Sequence, residues 1–220
     1  MQKRELPFEQ FAALSAVDCT HAFVRRVPGI DVSYDKAEVL ARLDDVHREV
    51  RSALGFADHA LITAQQVHGN RIAVVDDAAS DDRCFADCDG VITNQRNVCL
   101  GIYVADCCAV YLIDPIKNCI GLVHSGKKGT ELAIAARAID LMQEKFGSQP
   151  NDLIVQLSPC IRPPHYEIDF AAEIVRQCRA AGVNHVHDCN ICTACDLARY
   201  YSYRVEKGKT GRMLALLALR

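Results

Sequence analysis

Along most of the chain, apolar positions recur with readable periods. Over 37–54 they fall at Val39, Leu40, Leu43, Val46, Val50 and Leu54, the three-and-four spacing of an amphipathic helix. The runs 61–67 and 71–75 read as strands on either side of Gly69-Asn70, a dipeptide suited to a tight turn. Strands at 98–104 and 109–113 flank Ala105-Asp106-Cys107-Cys108, and another at 119–123 follows the turn residues Asp114-Pro115 and Lys117-Asn118. A helix is predicted over 130–146, with Thr130 as N-cap, Leu132, Ala135, Ala136, Ile139 and Met142 on its apolar face, and Gly147 as terminator. A strand at 153–157, a helix over 170–181 ending at Gly182 and a short strand at 213–217 complete the pattern. Strands come in consecutive runs with helices between the blocks, and no internal repeat or Gly/Ser-rich linker divides the chain. The expectation is an α/β fold: a single layered domain over 1–220 with a mixed β-sheet core covered by helices, and residues 1–20 peripheral to it.

Composition narrows the class. With 50% hydrophobic and 24% charged residues, the chain can form a packed core, which excludes a disordered, collagen-like or coiled-coil protein. Lys and Arg number 25 against 28 Asp and Glu, and no basic run stands out, so nucleic acid is not an expected partner and a small molecule is. The most apolar segment, 98–113, is shorter than the ~20 residues a membrane span needs and carries Asp106 in its middle, so no membrane partner is expected either. Glu5, Pro7 and Glu9 interrupt any apolar stretch that could serve as a signal peptide, and a cytoplasmic location follows as an expectation. In a reducing compartment most of the 12 cysteines act as small buried hydrophobes, Cys99, Cys119 and Cys178 among them.

Metal-competent side chains stand at the ends of three apolar strands: His68 in QQVHGN, Cys107 in VADCCAV and His124 in LVHSGKKGT. A lone histidine at a strand end is more often structural than a ligand. Two histidines and a thiolate together, however, are what Zn²⁺ accepts when a fourth position stays open, the catalytic arrangement and not the structural one. Asp106 could act as a base or orient a ligand, although only an irregular turn would bring it and Cys107 into one site. The run Cys189-Asn-Ile-Cys192-Thr-Ala-Cys195, with His185 and His187 before it, invites an iron–sulfur reading but lacks a following fourth cysteine. Cys160 reads as a structural thiol, and Asp89-Gly90 as a turn. A copper laccase needs a histidine-rich cluster in addition to a blue-copper site, which eight histidines with one His-x-His pair do not stock.

The ordered series QVHG (66–69), DGVITN (89–94), ADC (105–107), HSGKKG (124–129), SPCI (158–161), YSYR (201–204) and TGRM (210–213) resembles the YfiH-like laccase-domain family, known also by the names polyphenol oxidase, purine nucleoside phosphorylase and peptidoglycan editing factor. The resemblance runs from about Phe23 to the C-terminus. It implies a layered α/β fold with Zn²⁺ as cofactor, bound by His68, Cys107 and His124; with Asp106, from the reading of the residues above, these three form the expected catalytic set. It implies phosphorolysis of adenosine, inosine or methylthioadenosine with accompanying adenosine deamination, so the expected partners are a purine nucleoside and phosphate. An alternative is a cysteine-type amide hydrolase editing peptidoglycan precursors, with Cys107 as nucleophile between two histidines. A third reading is a non-catalytic binding protein that keeps the fold. Lys127, Lys128, Arg204 and Arg212 are the expected anion-binding residues, the lysines alongside the amide groups of the helix that follows. The chain departs from the family pattern twice. Where the family reads HAGWRG this chain reads HSGKKG, and between Ser33 and Glu49 the family's Asn-Leu-Gly segment has no clear counterpart.

Overall fold

The computed structural model describes residues 5–77 and 80–220; residues 1–4, part of the segment expected to be peripheral, lie outside the described residues. The expected mixed α/β fold is present, but its strands divide between two six-stranded sheets where one sheet was anticipated. The first runs in the order β1 (Phe8–Glu9), β2 (Cys19–Val24), β12 (Met213–Leu219), β7 (Val98–Val104), β3 (Ala60–Ala64) and β5 (Arg83–Phe85). The second runs β11 (His185–Asp188), β10 (Ile154–Leu157), β8 (Cys108–Asp114), β9 (Cys119–Ser125), β6 (Gly90–Thr93) and β4 (Ile72–Val75). Each is mixed: β3 pairs parallel with β5 and β7 while β12 is antiparallel to β2 and β7, and β4 pairs parallel with β6 while β8 is antiparallel to β9 and β10.

The two-residue period of the strands explains the layering. In β8, Ala109, Tyr111 and Ile113 enter a core shared with the first sheet, while Cys108, Val110 and Leu112 face the other way, into a cluster with the helices. In β12, Met213, Ala215 and Leu217 enter the shared core, and Leu214, Leu216 and Ala218 meet Val50 of α2 (Lys36–Ala53) and Phe56. Strands buried on both faces read as unbroken apolar runs, which is why these were recognisable without clean alternation. The outer face of the second sheet is covered by α4 (Ile134–Phe146) and α5 (Phe170–Ala180), through Ile134, Ala138, Ile139, Met142 and Ile174. Among the described residues no helix is long and apolar enough to cross a membrane.

Several expectations are corrected here. The strand placed at 61–67 stops at Ala64, because Gln66 and His68 take positive φ values of 63° and 60° that no strand accommodates. Its successor β4 lies in the other sheet, so Gly69-Asn70 sits in a crossover and not in a hairpin turn. The helix placed at 130–146 begins earlier and breaks: α3 (Lys127–Glu131) is separated from α4 by Ala133 in the left-handed region, φ 54° and ψ 41°. Thr130 is therefore inside α3 and not an N-cap, and its hydroxyl lies 2.9 Å from that of Ser125. Residues 8–20 are not peripheral, since β1 pairs with β2, and Leu14 of α1 (Ala12–Ser15) and Cys19 are fully buried in the shared core.

Tyr111 ties the layers together. From the second sheet its buried hydroxyl donates to the carbonyl of Ala22 in the first, 2.8 Å away, and Phe11 packs edge-on against its ring. Tyr111→Phe removes this one hydrogen bond and keeps the ring. The expected loss is about 1 kcal/mol of stability, read in a denaturant titration as a lower midpoint at unchanged slope.

Candidate metal centre

The site begins with a buried carboxylate. Asp89, which the sequence reading took for part of a turn, is fully buried immediately before β6. Its Oδ2 accepts the backbone N–H groups of Val67 and Gly69 at 3.1 and 2.7 Å, and its Oδ1 accepts that of His68 at 2.8 Å. Three successive N–H groups can converge on one anion because the loop after β3 is held in left-handed conformations at Gln66 and His68. The side chain of Gln66 locks the same loop to the end of β7, donating to Tyr103 O and accepting from Tyr103 N. His68 is thereby presented outward from a loop fixed at every turn.

The fourth donor to Asp89 is His124 Nδ1, 2.9 Å from Oδ1. His124 lies in β9 and is itself buried, and its backbone N–H donates to Asp89 O at 2.7 Å. An imidazole whose Nδ1–H is committed to a carboxylate keeps Nε2 as a lone-pair donor, the arrangement that orients metal-binding histidines. Although burial alone would push its carboxyl up, hydrogen bonds from His124, Gly69 and His68 hold Asp89 below the usual carboxylate range.

Cys107 reaches the histidines through the irregular turn that the sequence reading required. Asp106 has φ 76°, which swings Cys107 out of register between β7 and β8. The Asp106 carboxylate accepts from Thr193 Oγ1 at 2.7 Å, Ser202 Oγ at 3.1 Å and Arg204 N at 2.7 Å. It borders the site, and these three hydrogen bonds hold the turn that carries Cys107 in place. Gly126 faces Cys107 from the other side, where a Cβ would run into Sγ. His68, Cys107 and His124 bring their ligand atoms to within 4.8 Å of one another, and the two imidazole rings stand at 80° with centroids 4.8 Å apart. Such a cluster could hold a metal ion. Against the desolvation that opposes it, the charge of His124 and hydrogen bonds from both histidines draw the Cys107 thiol down to about 6. Reciprocally, and again against burial, Cys107 and Asp89 raise His124 to about 9.

The cluster lies in a cavity of about 620 Å³. Tyr103, Tyr166, Phe170 and Tyr203 contribute aromatic surface to its wall, and Lys36, Lys127, Arg204, Lys207 and Arg212 contribute cations. Of the expected anion-binding set, Lys127, Arg204 and Arg212 therefore border the cavity. Lys128 does not: it is exposed on α3, and adjacent helical residues point about 100° apart. Lys36 and Gln66 were missed, as was Asp89, although Gln66 and Asp89 both lie inside motifs that had been singled out. Their contacts span 20 or more positions along the chain and leave no period to read.

The remaining candidates stay structural. Among the described residues, His68, Cys107 and His124 are the one grouping of three metal-capable side chains, so Cys189, Cys192 and Cys195 form no second centre with His185 or His187. Cys160 is fully buried, and its contact with Cys108 together with burial holds its thiol well above the ordinary range, which makes it a poor nucleophile.

Comparison with known proteins agrees with this architecture. Residues 28–175 and 165–220 match the profile of the family described as multi-copper polyphenol oxidoreductase laccase. The purine nucleoside phosphorylase YlmD of Geobacillus stearothermophilus is 28% identical over 230 aligned positions, covering 87% of this chain and 82% of its own. A purine nucleoside phosphorylase of Deinococcus radiodurans is 30% identical over 232 positions, covering 90% and 88%. Among solved structures, YlmD from G. stearothermophilus superposes with a TM-score of 0.79 over 98% of this chain and 100% of that one, at 24% identity. The Bacillus licheniformis hypothetical protein YfiH gives 0.78 over 92% and 93%, also at 24% identity. These structures share the fold, and with a family profile matched from residue 28 to the last residue, the chain belongs to the multi-copper polyphenol oxidoreductase laccase family.

Proposed function

We propose that the chain is a zinc-dependent enzyme that cleaves adenosine, inosine or methylthioadenosine by phosphorolysis and deaminates adenosine as an accompanying reaction. The observation that carries this reading is the His68–Cys107–His124 cluster set in one cavity with aromatic rings and an excess of cations. Its relatives bearing the name purine nucleoside phosphorylase support the choice of substrate. Two imidazoles and one thiolate suit Zn²⁺, with His124 already oriented by Asp89 and Gly126 leaving room for the sulfur. Copper laccase chemistry would need further ligand groups, and the described residues assemble one group of three. All twelve cysteines are unpaired among the described residues, which suits a reducing cytoplasm.

When bound, zinc supplies a Lewis acid that polarises an oxygen atom in its open position. The protein's own part is to bind and orient. Aromatic rings of the wall offer faces to the purine, and the cations hold phosphate against the ribose. In phosphorolysis a phosphate oxygen bonds to the anomeric carbon as the bond to the purine nitrogen breaks, and the base leaves with that electron pair and takes up a proton. In deamination water adds at C6 and ammonia leaves. A second reading has its own support: Cys107, His124 and Asp89 stand in line as a thiol–imidazole–carboxylate set, which a metal-free amide hydrolase acting on cell-wall precursors would use. Metal content separates the two.

Three outcomes test the proposal. Purified protein is expected to contain close to one zinc per chain, and Cys107→Ser to lose most of it while keeping its fold, because an open site contributes less to folding than a closed one; full occupancy in Cys107→Ser would remove the assignment. Asp89→Asn leaves His124 without its carboxylate, and zinc affinity in a chelator competition is expected to fall about ten- to a hundredfold. Incubation with adenosine and phosphate is expected to yield adenine and ribose-1-phosphate, with inosine alongside. Adenosine consumption indifferent to phosphate and without free base would leave a deaminase alone, and binding without turnover would mark a non-catalytic protein.

A further inference from the structure

The cavity holds more positive charge than its carboxylates answer. Among the described residues, Arg204 has an ion-pair partner, Glu167 at 3.0 Å, whereas Lys36, Lys127, Lys207 and Arg212 have none. Asp106, the carboxylate in the wall, is occupied by Thr193, Ser202 and the Arg204 backbone. The chain as a whole carries a net charge of −3, so this local excess is not inherited from composition.

Two of these cations, Lys36 and Arg212, line the cavity that holds the metal centre. Lys36 opens α2 directly after Asp35, whose carboxylate is turned to cap Glu38 N at 3.0 Å, so Lys36 gains no partner there. Arg212 precedes β12; its Nη1 donates to Thr210 O and Gly211 O at 3.0 and 2.9 Å, which anchors the guanidinium, and among the described residues Nε and Nη2 meet no acceptor. The Tyr203 ring supports the guanidinium from 5.7 Å. Desolvation and the charge of Arg212 press the Lys36 ammonium below its usual range, and desolvation does the same to Arg212 against the opposing pull of Tyr203, Cys107 and Asp106. Two cations lining one cavity, neither with an ion-pair partner among the described residues, leave positive charge that an anion would answer.

Lys127 is a weaker candidate. It also borders a neighbouring cavity of about 310 Å³ whose wall holds Glu131, Asp169 and Glu173, where an anion would meet carboxylates. Arg204 is already paired, and Lys128 lies outside the cavity.

We propose that Lys36 and Arg212 form an oxyanion subsite beside Cys107 that takes a phosphoryl group, either free phosphate or the phosphate ester of a nucleotide. Its substrate rests on the phosphorylase reading, and its charge does not. The guanidinium offers a fork to two phosphoryl oxygens while the ammonium supplies a point charge, so binding weakens with added salt.

Calorimetric titration of the purified chain with inorganic phosphate at low ionic strength is the test. Lys36→Gln and Arg212→Gln are each expected to weaken phosphate binding about tenfold or more, with zinc content and adenosine affinity unchanged; Arg212→Lys retains part of the affinity, and Lys128→Gln all of it. Absence of phosphate binding by the parent chain, an unaltered affinity in the double variant, or a loss confined to Lys127→Gln overturns the subsite. Titration with adenosine 5′-monophosphate and with adenosine separates the sources. A tighter monophosphate whose advantage disappears in Lys36→Gln assigns the subsite to a nucleotide, and equal affinity, with adenosine and phosphate binding together, assigns it to free phosphate. Adenosine turnover that ignores phosphate while the titrations behave as expected overturns the phosphorylase reading and leaves the subsite in place, so the two failures are distinguishable.

Discussion

A single buried carboxylate, Asp89, sets the geometry on which the candidate site depends. Its four donors come from two sheets: the loop after β3 belongs to the first, and His124 in β9 to the second. A buried charge is tolerated when every lone pair has a partner, and the same bonds satisfy three backbone N–H groups that a left-handed loop would otherwise leave without acceptors. The loop cannot relax without exposing the charge, and His124 cannot turn without losing its anchor. Cys107 is drawn into the same seam because it lies in the connection from β7 of the first sheet to β8 of the second. The cluster therefore sits where the chain passes between its two layers.

Asp106 performs a comparable task one step further out. Its carboxylate ties the turn that carries Cys107 to Thr193, Ser202 and the backbone of Arg204. The segment that brings Tyr203 and Arg204 to the cavity is thus referenced to the residue preceding the thiol. Both acids act by gathering several donors, Asp89 mostly backbone N–H groups and Asp106 two hydroxyls and one N–H, and each stands next to an unusual φ: Asp106 carries its own, and Asp89 accepts from the backbone of His68. Strain of this kind persists only where surrounding bonds over-determine it, and these two positions meet that condition.

The parts of the fold that were legible are those whose burial leaves a period. β7 and β12 are apolar throughout, β8 and β9 are so up to Asp114 and His124-Ser125 at their ends, and α2 and α5 carry a three-and-four stripe, so each was placed within a few residues. β2 was not, because Thr20 and His21 interrupt its run and its partner β12 lies almost 200 positions away. β6 is four residues long and opens with a glycine, which alone looks like a turn. The break between α3 and α4 was invisible because Ala133 is a good helix former held left-handed by its surroundings. At the site the same distinction applies. His68, Cys107 and His124 stood out as polar residues ending apolar strands, whereas the contacts of Asp89 and Gln66, and the place of Lys36 in the cavity wall, exist only in the folded chain.

That distinction bears on the lysine pair that replaces Trp-Arg of the family pattern. On sequence alone, Lys127 and Lys128 were the natural heirs to an anion-binding arginine. Folding separates them, leaving Lys127 between the main cavity and a group of acids and Lys128 on the exposed surface of α3. Arg212 and Lys36 border that same main cavity, one immediately before β12 and the other in the first turn of α2, within the segment where the Asn-Leu-Gly pattern is missing. The two departures from the family are thus joined in space. Lys127 of the HSGKKG loop and Lys36 at the start of α2 line one cavity, so ammonium groups, point charges without a guanidinium's fork, stand at both departures.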